Sequence, residues 1–570
     1  MSRAPTVRTD AEHEAGTDPR RWRALTVCLV AGFMSLLDVS IVNVALPSIR
    51  QGLNATPSDL QWVVSGYSLA FGLVLVPSGR LGDVRGRRRV FVTGMTLFTV
   101  ASAICGLAPD PRWLIAARLL QGVAGGMLIP QVAGFIQELF RGAERARAFG
   151  LLGATIGVST AIGPLAGGLL IGAFGADHGW RAVFFVNVPV GAVGVPLALR
   201  LLPSRSGRRP SENLDPVGVL LLGTGVLMLL LPMVEERTWP GSAKWLLVPA
   251  ALLVLAGFVG WERFYARRGH QPMVDLDLFR RRSYALGTGL GLVYFAGFTA
   301  IFFVLALFLQ NGRGYSALQA GLAVTPFALA SAVGAALGGR TVTRFGRRLV
   351  AVGLVAVVVG LVVTDIVIRR VDGSAVGLAT APSFLLAGLG SGVVISPNMT
   401  LTLSEVPVAR AGSGGGVLQT AQRIGSSVGI AAVGSLLFSR VVATRGDWTA
   451  ATSAALWLCS TLVSLALVLA LVDLRLSSRQ AAAADSAGGE DRRSGTASAN
   501  ATPRPSSHTA SSGPRAASGA PSIGGPGSGT GGVSGPAGGG MSGPGPGGPG
   551  LGLGGSGDGG WGSGGLGGTD

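Results

Sequence analysis

The sequence reads as an all-α integral membrane protein of about fourteen spans, grouped six, two and six and followed by a disordered tail. Three observations carry that reading. A mean hydropathy of +0.51 with only 13% charged residues is too apolar for a soluble chain of 570 residues, so lipid is the solvent for most of it. Apolar runs long enough to cross a bilayer, at about 20 residues each, recur about fourteen times. An arginine-rich stretch, Gly79-Arg80-Leu81-Gly82-Asp83-Val84-Arg85-Gly86-Arg87-Arg88-Arg89, joins two of these runs, and a worn copy from Gly339 to Arg348 joins two others.

The runs fall at 24–46, 60–78, 90–108, 113–137, 146–173, 181–202, 216–234, 245–264, 284–309, 318–340, 348–368, 377–399, 411–438 and 450–473. The polar start is too charged for a signal peptide and the run after it lacks a cleavage site, so that run stays as the first span. An even number of spans places both termini on one side. The N-terminal flank and the loops at 79–89, 141–147, 200–209, 263–282 and 340–348 hold about 25 basic residues, against about ten in the alternate loops. Basic residues are retained in the cytosol, so the richer loops and both termini are expected there. The two arginine-rich stretches follow spans 2 and 10. Two adjoining six-span halves would put them six spans apart, so two spans are inserted. The expected divisions are a cytosolic tail 1–22, a six-helix bundle 23–202, an inserted helix pair with its loops 203–283, a second six-helix bundle 284–475 and a disordered Gly/Ser/Pro-rich tail 476–570. Such internal repeats are a common plan of secondary transporters.

Composition excludes several functions. The net charge of +18 is distributed over alternate loops rather than along one face, which speaks against nucleic-acid binding. Cys28, Cys105 and Cys459 lie singly inside apolar runs, so neither a disulfide framework nor a metal site is expected, and no cofactor. His13, His178, His270 and His508 lie in tails or loops, which leaves a carboxylate as the titrating group within the membrane. Neither paired intramembrane acids nor a nucleophile with a positioned base is visible, so an enzyme is not expected.

Asp38 is the foremost candidate residue. It lies well inside the first apolar run, where a charged carboxylate costs about 3 kcal/mol or more, and such a group is a functional candidate by default. Desolvation favours its neutral form and a nearby cation its ionised form, the tension a proton carrier needs. The alternative is a protonated Asp38 that only hydrogen-bonds within the bundle. Arg118 in span 4 is the candidate cation: its depth differs from that of Asp38 by about 5 Å at 1.5 Å rise per residue. It can instead reach the outer surface along its own stem. Gln121 lies one turn further on the same face. Gly150, Gly153, Gly157, Gly163, Pro164, Gly167 and Gly168 make span 5 a close-packing surface with a weak point at its proline, suited to bending or sliding as well as to plain packing. In the arginine stretch the glycines, Gly79 and Gly86 among them, permit a tight turn, and Asp83 can pair with neighbouring guanidinium groups or cap a helix N-terminus. The worn copy has Thr343 in place of Asp83. Span 13 carries Gln419, Gln422 and Arg423, and Arg423 must face a cavity or a partner acid. Asn43, Gln121, Gln419, Gln422 and Arg423 are the candidates for a substrate cavity. Asp365, next to Arg369 and Arg370, reads as an interfacial salt bridge. The span 9 aromatics Tyr294, Phe295, Phe298, Phe302 and Phe303 suit a pocket for a flat ligand or, more commonly, packing.

These residues resemble the major facilitator superfamily, in particular its fourteen-helix drug:proton antiporter branch, often called the EmrB/QacA type. Gly79 to Arg89 resembles the family's motif after helix 2, and Asp38 with Asn43 and Pro47 its helix 1 motif. Arg118, Gln121 and Gly122 resemble the helix 4 motif associated with proton transfer. Gly150, Gly163, Pro164, Gly167 and Gly168 are similar to the helix 5 antiport motif, with Ser159 replacing a usual glycine. Trp180-Arg181, Phe184-Phe185, Asn187, Pro189 and Gly191 match another stretch of this branch. The resemblance covers roughly residues 24 to 473. It implies two six-helix bundles that rock about a central cavity, export of a small molecule and inward movement of protons; a monomer in the plasma membrane and a lipophilic substrate are expected. On that reading Asp38 binds and releases the proton and Arg118 biases it. Gly79, Asp83, Gly86 and Arg87, with Gly163, Pro164, Gly167 and Gly168, control access. Span 10 holds no acidic residue, unlike some members that export dicationic drugs, so divalent lipophilic cations are the less expected substrate. Direction is not fixed by the fold: an importer or symporter fits the same residues, and a non-transporting sensor with the tail as output arm is a further alternative.

Overall fold

The computed structural model describes residues 20–175, 178–204, 215–234, 239 and 241–499. The remaining arginines of the 200–209 loop, Arg237, His13, His508 and the tail beyond 499 lie outside the described residues. Fourteen helices long and apolar enough to cross a membrane follow one another, with no strand among the described residues. They are α1 (Arg20–Leu53), α2 (Pro57–Arg85), α3 (Arg87–Gly106), α4 (Pro111–Leu139), α5 (Gly142–Phe174), α6 (Gly179–Leu201), α7 (Pro216–Val234), α8 (Leu247–Arg267), α9 (Arg282–Leu307), α10 (Ala317–Phe345), α11 (Arg347–Arg370), α12 (Ala381–Leu403), α13 (Ala411–Ala443) and α14 (Trp448–Ala499).

Local chemistry sets the boundaries. Thr56 and Ser316 close capping boxes with Asp59 and Gln319, and Asp110 accepts from the Trp113 amide ahead of Pro111. Asp215 caps α7 through the Gly218 amide and also accepts from the Trp261 indole of α8, which ties the inserted pair together. Within α6 the helix breaks at Val186, because Pro189 offers no N–H to the Phe185 carbonyl. Pro47, Pro164, Pro326 and Pro397 are accommodated without a break. α14 continues as helix past the change of composition at 476, through the alanine-rich run 481–484, a strong helix former.

The arginine stretch differs from the expected loop. α2 runs to Arg85 and α3 starts at Arg87, so only Gly86 interrupts the helices. Gly86 has φ +97°, and Gly346 in the worn copy has φ +53°, backbone that favours glycine in both places. Helix persists through these arginines because the critical ones find partners: Arg80 and Arg87 are each 4% exposed.

Two cores flank the molecule's centre. One joins α1 to α6 through Phe91, Phe98, Phe135 and Phe149, and around Trp180 and Phe184. The other joins α9 to α14. Against the seam between them lie α7, whose Val226 and Leu230 pack with Leu69 and Ile424, and α8, whose Phe258 packs near Val76. The halves meet along two lines of small residues. On one, a Cβ on Gly150, Gly153 or Gly157 of α5 would come within 2.9 Å of α10. On the other, a Cβ on Gly79 of α2 would lie 2.3 Å from the Gly412 carbonyl oxygen of α13. Only glycine admits such backbone approach.

Candidate functional site

Asp38, wholly buried in the middle of α1, faces α4 and α6. One carboxylate oxygen accepts from an Arg118 terminal nitrogen at 2.5 Å. The other accepts from the Gln121 amide at 2.9 Å and the Asn187 amide at 3.2 Å. Ser102 receives the second hydrogens of both amides, at 2.6 Å from Gln121 and 3.3 Å from Asn187. The Gln121 oxygen in turn accepts from Arg118 at 2.7 Å. The groups around Asp38 are therefore all donors, an arrangement that suits the carboxylate. A protonated Asp38 would turn a donor toward donors, so neutralising it has to loosen Arg118 or an amide.

Arg118 is 1% exposed and does not reach the surface. Its Nε donates to the Val63 carbonyl at 3.0 Å, and its guanidinium lies 4.1 Å from the Tyr67 ring centre. A buried guanidinium needs its donors satisfied and its charge matched; here a carboxylate, an amide, a carbonyl and an aromatic face do so. Tyr67 is also bound through its hydroxyl to Ser35, at 3.2 Å. The cluster thus joins α1, α2, α3, α4 and α6, and every polar member is sealed.

A second charged cluster lies at the end of the bundle that carries the arginine stretch. The Asp83 side chain, fully shielded from solvent, accepts from the backbone amides of Gly412 at 3.0 Å and Ser413 at 2.9 Å. It pairs with Arg87 at 3.0 Å, and Arg87 continues to Glu138 at 2.6 Å and the Gly134 carbonyl at 3.1 Å. Asp83 therefore does both things its position allowed, capping the N-terminus of α13 across the seam and pairing with a guanidinium. In the worn copy Thr343 is exposed. Arg347 there turns inward to Asp473 at 2.5 Å, Asn398 at 3.0 Å and Ser283 at 2.9 Å, all within its own half. The two copies are thus unlike: one bridges the halves and the other braces a single half.

The other expected residues divide. Gly163 and Gly167 fit α5 against α1, where a Cβ would meet Ser40 at 2.3 Å and Ile41 at 3.1 Å. Pro164 faces Gly321 of α10, and Gly168 has ordinary room beside Leu318. Ser159, where a glycine was usual, is buried and donates to the Thr155 carbonyl. Gln121 is corrected from a cavity residue to a member of the Asp38 cluster, because both its hydrogens and its oxygen are consumed there. Gln422 is buried against Gly291 of α9. Asn43 is exposed on a face of α1 away from Asp38. Gln419 and Arg423 are half-buried, and Arg423 lies 4.4 Å from the Phe71 ring centre instead of beside an acid. Asp365 pairs with Arg369 at 3.1 Å. Of the α9 aromatics, Tyr294 donates to Ser391, and Phe298 and Phe302 pack on Phe327 of α10 as core.

Ser102 carried no signal in the sequence, being one small hydroxyl among many. Asn187 stood in the stretch Trp180 to Gly191 that resembles the family branch, with no role assigned to it.

Comparison with known proteins places these features. The family model of the Major Facilitator Superfamily matches residues 28–430. The chain is 40% identical over 430 residues to a probable actinorhodin transporter of Streptomyces coelicolor, covering 74% of each protein. It is 33% identical over 434 residues to a tetracenomycin C resistance and export protein of Streptomyces glaucescens, covering 75% of this chain and 78% of that one. Among solved structures, the human organic anion transporter MFSD10 superposes with a TM-score of 0.58 over 80% of this chain and 100% of its own, at 16% identity, a likeness of fold alone.

Proposed function

Because the chain belongs to the Major Facilitator Superfamily, we propose that it exports a small, lipophilic drug or metabolite across the plasma membrane in exchange for protons. It is a membrane transporter and not an enzyme. Export is supported by relatives named for tetracenomycin C resistance and export, puromycin resistance and cephamycin export. Exchange for protons rests on one observation above all, the sealed Asp38 carboxylate held by Arg118, Gln121 and Asn187. A proton reaching Asp38 from outside neutralises it, frees Arg118 and shifts α1 against α4. Its release toward the cytosol restores the pair. Asp83 at the amides of α13 holds the cytosolic side shut until that shift draws α2 away. The arginine-rich end faces the cytosol on this reading, with both termini beside it, and the exporter works as a monomer.

The test uses proteoliposomes of known orientation under an imposed pH gradient, with puromycin, tetracenomycin C and actinorhodin as probes. Wild-type protein moves at least one of them against its gradient, and Asp38→Asn, folded by size-exclusion chromatography, moves none. Gradient-driven movement by Asp38→Asn at the wild-type rate overturns the proton assignment. Movement in the same direction as the protons makes the protein a symporter.

A further inference from the structure

We infer that Arg423 binds an anionic group on the exported molecule, so that the preferred substrates are organic acids, a carboxylate or ionised phenol on an apolar body. The inference rests on the export reading and names its substrate class.

Arg423 lies near the middle of α13, about 18 Å from its start at 1.5 Å per residue. A guanidinium stays charged at any physiological pH, and at this depth its charge is costly unless matched. Buried guanidinium groups elsewhere in the bundle are matched in ion pairs, Arg118 at mid-helix and Arg87 and Arg347 at helix starts. Arg118 has Asp38, Arg87 has Asp83 and Glu138, and Arg347 has Asp473. Among the described residues Arg423 has no carboxylate and no hydrogen-bond acceptor; its one contact of note is the face of Phe71. It is not lost in lipid either. Phe71 is 1% exposed on α2, and the next residue, Ile424, packs with Leu69, Val226 and Leu230, so the inserted pair covers this part of the seam. Arg423 is half-buried where α13 packs on α2 across the seam, and its donors have no acceptor there.

Charge then decides what this part of the seam would accept. Asp38 and Arg118 cancel one another and are shielded from the seam, which leaves Arg423 as the local charge. A cationic ligand would be repelled. A carboxylate or phenolate would receive the planar fork of donors that the protein leaves unoccupied, the pairing for which guanidinium is best shaped. A path of contacts also connects Arg423 to the proton site. It lies over Phe71, whose ring is 5.9 Å from that of Tyr67, and Tyr67 carries Arg118 on its face. An anion that draws Arg423 off Phe71 therefore acts on the same α2 surface that supports Arg118.

The test uses the full chain in nanodiscs and two dyes with one xanthene skeleton, anionic fluorescein and cationic rhodamine 123, followed by fluorescence polarisation. Wild-type protein binds fluorescein more tightly than rhodamine 123. Arg423→Gln weakens fluorescein roughly tenfold or more, the loss of one charge-assisted pair, and does not weaken rhodamine 123. Arg423→Lys keeps most of the fluorescein affinity. Rhodamine 123 binding by Arg423→Gln also shows that the variant is folded. Preference of the wild type for rhodamine 123, failure to bind fluorescein, or equal fluorescein binding by wild type and Arg423→Gln overturns the inference. Fluorescein binding that depends on Arg423, with no gradient-driven movement of any probe, would leave this site standing and overturn the export reading.

Discussion

Replacing Asp83 by Asn removes one negative charge from the junction of α2 and α13 while keeping the side chain's shape. In the wild type that carboxylate accepts from two backbone amides of the opposite half and from Arg87. Hydrogen bonds to a charged group contribute about 1.5–3 kcal/mol each, and a neutral one about 1 kcal/mol. Asparagine retains one neutral acceptor for the two amides, and Arg87 retains Glu138, 2.6 Å away. The side chain is fully shielded, so solvent screens little of the loss. The junction should weaken by about 2–4 kcal/mol, which at about 1.4 kcal/mol per tenfold changes the closed-to-open ratio by roughly 30- to 700-fold. Pulsed electron–electron resonance reads this directly, with spin labels at Arg89 and Ser404, exposed residues in opposite halves. The native Cys28, Cys105 and Cys459 are buried and need not be removed. The wild type should give one short distance at this end, and Asp83→Asn a second, longer population comparable to it or larger. A distance distribution unchanged by Asp83→Asn would refute the idea that this cap holds the halves together.

Three further substitutions test the packing and the site. Gly122→Ala would place a Cβ 2.4 Å from the Tyr67 carbonyl oxygen, and the backbone there cannot yield cheaply; a loss of about 1–3 kcal/mol should lower the thermal midpoint, and an unchanged midpoint would contradict the close approach of α2 and α4. Asp473→Asn strands the buried Arg347 guanidinium and should cost about 3–5 kcal/mol, partly recovered in the double variant Arg347→Met/Asp473→Asn; a lone Asp473→Asn that melts as wild type would show that the pair contributes nothing. If transport is exchanged for protons as proposed, Asn187→Ala, which removes one of three donors to Asp38, should slow turnover driven by a pH gradient about tenfold, the equivalent of one hydrogen bond to a charged group, without changing substrate affinity. Wild-type turnover by Asn187→Ala would place it outside the proton site.

The fourteen spans were legible because hydrocarbon admits so few side chains: each apolar run had to be a helix, and its arginines marked the ends. Asp38 and Arg118 were legible for the same reason, since two isolated charges at similar depth have few alternatives to each other. What escaped was decided by packing rather than by polarity. Ser102 is an ordinary small polar group, and Asn187 a residue of a family-like stretch without a role, until α3 and α6 bring them beside Asp38. Gln121 and Gln422 are alike in sequence character, yet one serves the Asp38 cluster and the other fills a helix contact. The arginine stretch looked like a loop because charge at a span's end usually signals water. Burial of Arg80 and Arg87 in partnered sites kept the helix intact almost to its end. Asp473 as the partner of Arg347 was out of reach, because nothing local relates the last span to the worn copy.

Whether Asp38 exchanges its proton for the transported molecule can be read from proton release on binding. Purified protein in weakly buffered detergent, at a pH where wild-type transport is half-maximal, is mixed with whichever of puromycin, tetracenomycin C or actinorhodin it moves, and a pH-indicator dye is followed. The wild type should release protons on binding, and Asp38→Asn should bind the same compound and release none. Equal proton release by the two proteins would show that the exchanged proton does not reside on Asp38.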